Sequence, residues 1–129
     1  KILLAEDDVD DQLFFIDFLQ HRTDIILMPA AQDGVKLLDQ LNNINKESEL
    51  PDFIILDQNM PKQNGLETLQ LLKQDLRYFH IPVIIYSTYA DKSLIEKGAQ
   101  AGACLVVSKP VLKEEYDELI NTLLIINLV

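Results

Sequence analysis

The stretch FIILDQNMP, residues 53–61, sets four apolar residues directly before an aspartate and closes on a proline. So short and unalternating a run reads as a strand buried on both faces of a parallel sheet. Four more runs of the same kind lie on either side: KILLA (1–5), IILMPA (25–30), VIIY (83–86) and CLVV (104–107). Pro29 inside the second run fits an edge strand, because proline has no N–H for the ladder. Helical patterns separate the runs. Residues 10–21 carry Phe14, Phe15, Phe18 and Leu19 for a core-facing side, and 34–43 carry Val35, Leu38 and Leu41. Residues 65–75 carry Leu66, Leu69 and Leu72, and 91–101 begin at the N-cap candidate Asp91 and carry Leu94 and Ile95. Residues 113–125 carry Tyr116, Leu119, Ile120, Leu123 and Leu124. This βαβαβαβαβα alternation predicts an α/β domain spanning residues 1–129: a five-stranded parallel sheet in the order 2-1-3-4-5, with helices on both faces.

The 129 residues suffice for one sizeable core, and 48% hydrophobic with 25% charged residues is an ordinary globular profile. The net charge of −10 argues against direct nucleic-acid binding, which needs clustered Lys and Arg. It suits a cation or a basic surface, although acidic solubility alone is common. The single cysteine, Cys104, rules out an internal disulfide and reads as a buried thiol in a reducing, cytoplasmic compartment. No apolar run reaches the roughly 18 residues of a membrane span, and no signal peptide is visible. A chain that begins at Lys1, directly in a strand, reads as trimmed.

Ligands of open parallel sheets bind beyond the carboxyl ends of the strands. Those ends carry Glu6, Asp7 and Asp8; Asp57; Ser87 and Thr88; and Lys109 followed by Pro110. Adjacent carboxylates repel by roughly 4 kcal/mol at 4 Å near a protein surface, so the cluster calls for a cation. Oxygen donors without His or Cys select a hard ion, Mg²⁺ or Ca²⁺, and no calcium-loop pattern is present. Acids, a hard cation, a lysine and hydroxyls together describe a phosphoryl site, with Asp57 as a nucleophile able to form an aspartyl phosphate. An acid pair after a strand usually only caps a helix, and Lys-Pro is usually only a turn. Their joint placement at four strand ends carries the reading. Within AEDDVDD (5–11), Asp8 borders the site and reads as a residue that caps the first helix or tunes the site, and Asp10 and Asp11 fall in the first turn of that helix, where negative charge complements the helix dipole.

The motifs ILLAEDD, FIILDQNMPKQNG, IPVIIYST, the Gly102-Ala103 pair and VVSKP resemble those of response-regulator receiver domains over nearly the whole chain. The resemblance implies a CheY-like, flavodoxin-like fold. The strand spacing and the loop near 42–51 resemble small single-domain regulators associated with phytochrome-type kinases. It further implies that Asp57 accepts a phosphoryl group from a histidine kinase or histidine phosphotransfer protein, in a Mg²⁺-dependent reaction, and that the domain is a signalling switch, not a turnover enzyme. By the same resemblance Glu6, Asp7, Asp57 and the Asn59 backbone carbonyl hold the metal, and Asp57, Ser87 and Lys109 carry the transfer. Asn59, Ser87, Thr88 and Lys109 surround the phosphoryl group, and the Lys109–Pro110 bond is cis. One position departs: Val106 stands where the family carries Tyr or Phe, and a β-branched residue cannot make the same rotamer swing. Tyr86 and Tyr89 read as a packed and a surface tyrosine.

Leu13 and Ile16 leave the core side of the first helix; scattered exposed apolar residues are normal on a surface, and the alternative, which the resemblance suggests, is a docking face for the kinase. The terminal apolar residues Ile125, Leu128 and Val129 suggest a homodimer, with no contact to nucleic acid or membrane. Three rivals stand beside the receiver reading. A dehalogenase-like phosphohydrolase needs a second Asp where Asn59 stands. An FMN carrier needs a phosphate loop rich in Ser, Thr and Gly where the acids stand. A receiver-like binding module with weak or absent phosphorylation is compatible with Val106.

Overall fold

The computed structural model describes the backbone of residues 1–128 and the side chains of residues 1–126. Strands β1 (Ile2–Ala5), β2 (Phe53–Asp57), β3 (Val83–Ser87) and β4 (Leu105–Ser108) form one parallel sheet in the order β1-β2-β3-β4. Five helices complete it: α1 (Val9–Leu19), α2 (Gly34–Asn42), α3 (Gly65–Gln74), α4 (Lys92–Ala101) and α5 (Lys113–Leu128). A single 3₁₀ turn, Glu47–Glu49, lies in the loop before β2.

Successive strand residues point to opposite faces, so each strand feeds two cores. On one face Leu3, Ile54, Leu56 and Ile85 pack with Leu37, Leu41, Leu69 and Leu72 of α2 and α3. On the other, Leu4, Ile55, Ile84 and Tyr86 pack with Phe15 and Leu19 of α1 and Tyr116, Ile120 and Leu123 of α5. The register aligns Ala5 with Leu56, Asp57 with Tyr86, and Ser87 with Ser108. That alignment brings the carboxyl ends of all four strands to one edge.

The sheet therefore has four strands, not five in the order 2-1-3-4-5. The expected second strand, 25–30, runs beside β1 and makes only the isolated parallel bridges Ile2–Leu27 and Ala5–Ala31. Between the bridges β1 advances three residues and the facing segment four, a bulge that spans Pro29. Leu4 O accepts from Ala31 N–H at 2.8 Å, so the extra residue and the proline break the ladder that a strand would continue. Three expected core positions also differ. Phe14 is 49% exposed because Phe15 and Leu19 take the buried stripe of α1. Val35 and Ile95 are exposed as well. Cys104 is exposed, standing just before β4, an edge strand whose residues are only partly covered. α4 seats through Gly98, where a Cβ would collide with Val106, and less through its apolar side chains.

Gly65 opens α3 against the backbone of β2. A Cβ there would stand 2.8 Å from the Asp57 carbonyl oxygen and 3.1 Å from Gln58 Cα. β2 is flanked by strands on both sides and cannot retreat. Gly65→Ala is therefore expected to lower stability by about 1–3 kcal/mol, read as a drop in the urea midpoint. A midpoint at or above wild type would contradict the close approach.

Candidate functional site

β1 ends at Ala5, and the chain turns into α1 across Glu6, Asp7 and Asp8. Asp8 caps the helix, its Oδ1 accepting from Asp11 N–H at 3.0 Å. Its own N–H donates to Glu6 Oε2 at 3.2 Å. Glu6 is fully buried, Asp7 exposed, and Asp57 is 1% exposed at the end of β2. One carboxylate oxygen from each of the three lies within 4.8 Å of the others. Asp57 Oδ1 also accepts from Asn59 N–H at 3.2 Å.

One cation stands against this cluster. Lys109 directly follows β4, and its N–H donates to Ser87 O at 2.7 Å. Its Nζ lies 2.8 Å from Glu6 Oε1, 2.9 Å from Asp11 Oδ2 and 3.3 Å from Asp57 Oδ2. Burial acts to lower its pKa, but hydrogen bonds to Glu6 and Asp11 outweigh that and raise it, so the ammonium stays charged. Burial, and then the adjacent Glu6 carboxyl, push the Asp57 carboxyl up to about 8 against the opposing pull of Lys109 and the Asn59 N–H. Lys109 is thus shared between the two buried carboxyls, Glu6 and Asp57.

The all-oxygen donor set fits a hard divalent cation, and Glu6, Asp7 and Asp57 could hold one. The remaining expected phosphoryl-binding residues divide between two cavities. Ser87 is buried and lines a shallow cavity of about 310 Å³ with Asn59, Gln58 and Tyr89. Thr88 is exposed and lines another of about 380 Å³ with Lys109, Asp11 and Tyr86. The Lys109–Pro110 bond is trans, not cis as the family resemblance implies. Tyr89 lies on the surface and Tyr86 in the core, as the sequence suggests.

Two participants escape the sequence reading. Asp11 is assigned there only to the helix dipole, yet it holds Lys109. The signal available is its spacing: four residues after Asp7, one helical turn returns it toward the same edge. Tyr86 donates its hydroxyl to Glu6 Oε1 at 2.8 Å and lies with its ring centroid 5.2 Å from Lys109 Nζ. Its place opposite Asp57 in the β2–β3 register is visible only once the strands are paired.

The response regulator receiver domain family matches residues 2–121. The chain belongs to that family. It is 36% identical over 124 residues to the polar-differentiation response regulator DivK of Brucella ovis, covering 96% of this chain and 95% of that one. It is 34% identical over 93 residues to the chemotaxis protein CheY of Pseudomonas aeruginosa, covering 69% and 71% respectively. Other relatives are much longer: the chain spans only 8% of histidine kinase P4 of Formosa agariphila, at 29% identity. Among solved structures, the phosphorylated cyanobacterial phytochrome response regulator RcpA superposes with a TM-score of 0.78 at 24% identity, over 94% of this chain and 88% of that one. As a receiver domain, the chain is a phosphoacceptor module of two-component signalling.

The raised Asp57 pKa has a consequence for stability. An unfolded Asp titrates near about 3.9, so the folded protein binds the proton more tightly. The stability that this contributes is fully present below about pH 4 and is lost as pH rises through about 8. Without divalent metal, Asp57→Asn is expected to be more stable than wild type at about pH 8, by a few kcal/mol, with the gap closing toward about pH 4. Urea titrations in chelator at the two pH values measure it; a constant gap would contradict the raised pKa.

Proposed function

We propose that the chain, as one receiver domain over residues 1–129, takes a phosphoryl group from a kinase phosphohistidine onto Asp57 in a Mg²⁺-dependent reaction. It then signals by conformational change. The observation that carries this is the meeting of the Glu6, Asp7 and Asp57 carboxylates within 4.8 Å, with Lys109 Nζ 3.3 Å from Asp57 Oδ2.

In the proposed chemistry an Asp57 carboxylate oxygen attacks phosphorus. An O–P bond forms as the N–P bond breaks, and the bonding pair leaves with the imidazole. Glu6, Asp7, Asp57 and the Asn59 carbonyl would hold Mg²⁺, which when bound supplies positive charge for the phosphoryl oxygens. Lys109 already donates to Asp57 Oδ2, and in the product it donates to a phosphoryl oxygen. The Ser87 and Thr88 hydroxyls serve as further donors. Burial raises the Asp57 pKa and so works against its ionisation, and Lys109 opposes that rise. Asn59 occupies the position where a phosphohydrolase of the dehalogenase kind carries a second Asp, which supports a switch over a turnover enzyme.

The stand-alone regulator reading draws support from DivK, 95% of which aligns with this chain. The exposed Leu13 and Ile16 on α1 support a docking face for the kinase. The homodimer reading rests on Ile125, exposed on α5; the Leu128 side chain and Val129 lie outside the described residues. Sedimentation equilibrium is expected to give a dimer, and a monomer at tens of micromolar would overturn that part. A cytoplasmic location draws support from the lone cysteine, and among the described residues no helix is long and apolar enough to cross a membrane. A second reading, a protein-binding module with weak phosphorylation, draws on one observation: Val106 packs against Gly98 of α4 in place of a mobile aromatic.

Incubation with Mg²⁺ and acetyl phosphate, followed by rapid intact-mass measurement, is expected to show a gain of one phosphoryl group. Asp57→Asn should abolish the gain. An unmodified wild type under conditions that trap the product would favour the second reading.

A further inference from the structure

The hydroxyl of Tyr86 reaches the acid cluster from inside the core. Tyr86 is 2% exposed and packs in the cluster that includes Phe15, Tyr116 and Ile120, between the sheet and helices α1 and α5. Its hydroxyl is the one polar atom of that side chain, and it donates to Glu6 Oε1 at 2.8 Å. The same Oε1 receives Lys109 Nζ at 2.8 Å, while Glu6 Oε2 receives Asp8 N–H at 3.2 Å. Glu6 is fully buried, so without these donors its carboxylate has no water to turn to. The Tyr86 ring also lies 5.2 Å from the Lys109 ammonium, within the range of a cation–π contact. One side chain thus touches both the anion and the cation that flank Asp57.

We propose that Tyr86 is a positioning residue of the metal and phosphoryl site: its hydroxyl fixes the Glu6 carboxylate, and through Glu6 the Lys109 ammonium, beside Asp57. The inference rests on the proposed function for its role in phosphorylation, but its effect on divalent-metal binding stands apart. A carboxylate beside a metal is oriented by hydrogen bonds behind it, and loss of such a partner typically costs about 10–100-fold in metal affinity or activity. Asp11 limits Lys109 from the solvent side, and Tyr86 limits Glu6 from the core side. The two constraints together define the orientation in which the acids face one another.

Tyr86→Phe keeps the ring and removes only the hydroxyl, and thermal unfolding monitored by circular dichroism verifies that the variant is folded. The probe is Mn²⁺ alone, titrated by electron paramagnetic resonance. Tyr86→Phe is expected to raise the Mn²⁺ Kd about tenfold, whereas Tyr116→Phe, a hydroxyl deletion in the same core, should leave it unchanged. In a Glu6→Gln background, Tyr86→Phe should add little, because the hydroxyl acts through Glu6. With acetyl phosphate, the Mg²⁺ concentration for half-maximal phosphorylation should rise by a similar factor, with a smaller change in the maximal rate. Wild-type Mn²⁺ affinity in Tyr86→Phe, or an equal loss in the Glu6→Gln background, would overturn the proposal. If the wild type binds Mn²⁺ with the expected pattern among variants yet never gains mass, the proposed function fails while the role of Tyr86 in metal positioning stands. If folding is lost in Tyr86→Phe, 3-fluorotyrosine at position 86 replaces the deletion: its more acidic phenol must shift the Mn²⁺ Kd, and an unchanged Kd would overturn the proposal.

Discussion

The ion pairing at Lys109 is the constraint on which the rest depends. Glu6 and Asp57 are carboxylates removed from water, and Asp7 stands close to both. Mutual repulsion of this size would push apart a mobile loop. Here it cannot, because Glu6 directly follows β1, Asp57 ends β2, and these strands are hydrogen-bonded neighbours in the sheet. The strain is met by one ammonium delivered from the end of β4 and by backbone N–H donors from Asp8 and Asn59. What remains uncompensated is the attraction for a further cation.

The two apolar cores serve that arrangement differently. The face covered by α2 and α3 holds β1, β2 and β3 in register, and Gly65 brings α3 close enough to lie on the Asp57 carbonyl. The face covered by α1 and α5 brings two further groups to the site. α1 returns Asp11 to Lys109, and the core beneath delivers the Tyr86 hydroxyl to Glu6. Packing and electrostatics are thus joined at Tyr86, whose ring belongs to the core and whose oxygen belongs to the site. At the far edge, β4 is only partly covered, and Val106 meets α4 through the gap left by Gly98.

Much of this arrangement is legible in the sequence. Short Ile-, Val- and Leu-rich runs ending in acids, hydroxyls or lysine specify buried parallel strands and name the residues at their carboxyl ends, because that pattern follows from local composition and the two-residue period of a strand. The strand at 25–30 misled for a reason also local: Pro29 signals an edge, but the bulge that reduces the segment to two bridges depends on its register with β1. Phe14 misled because α1 has more apolar residues than its buried stripe can hold, and only the direction of approach to the sheet selects Phe15 and Leu19.

The chemistry at each strand end is written in the residue order: Glu6 and Asp7 after β1, Asp57 in β2, Ser87 in β3, Lys109 after β4. Those identities are written in order along the chain and need only the strand assignment to be read. Tertiary structure alone decided which of them meet. Lys109 pairs with Glu6, Asp11 and Asp57 across separations of 52 to 103 residues, a consequence of strand order and register that no local window contains. Ser87 and Thr88, adjacent in sequence, line different cavities because successive residues point to opposite sides at the end of a strand. Tyr86 reads as one more buried aromatic until pairing of β2 with β3, and of β2 with β1, carries its hydroxyl to Glu6.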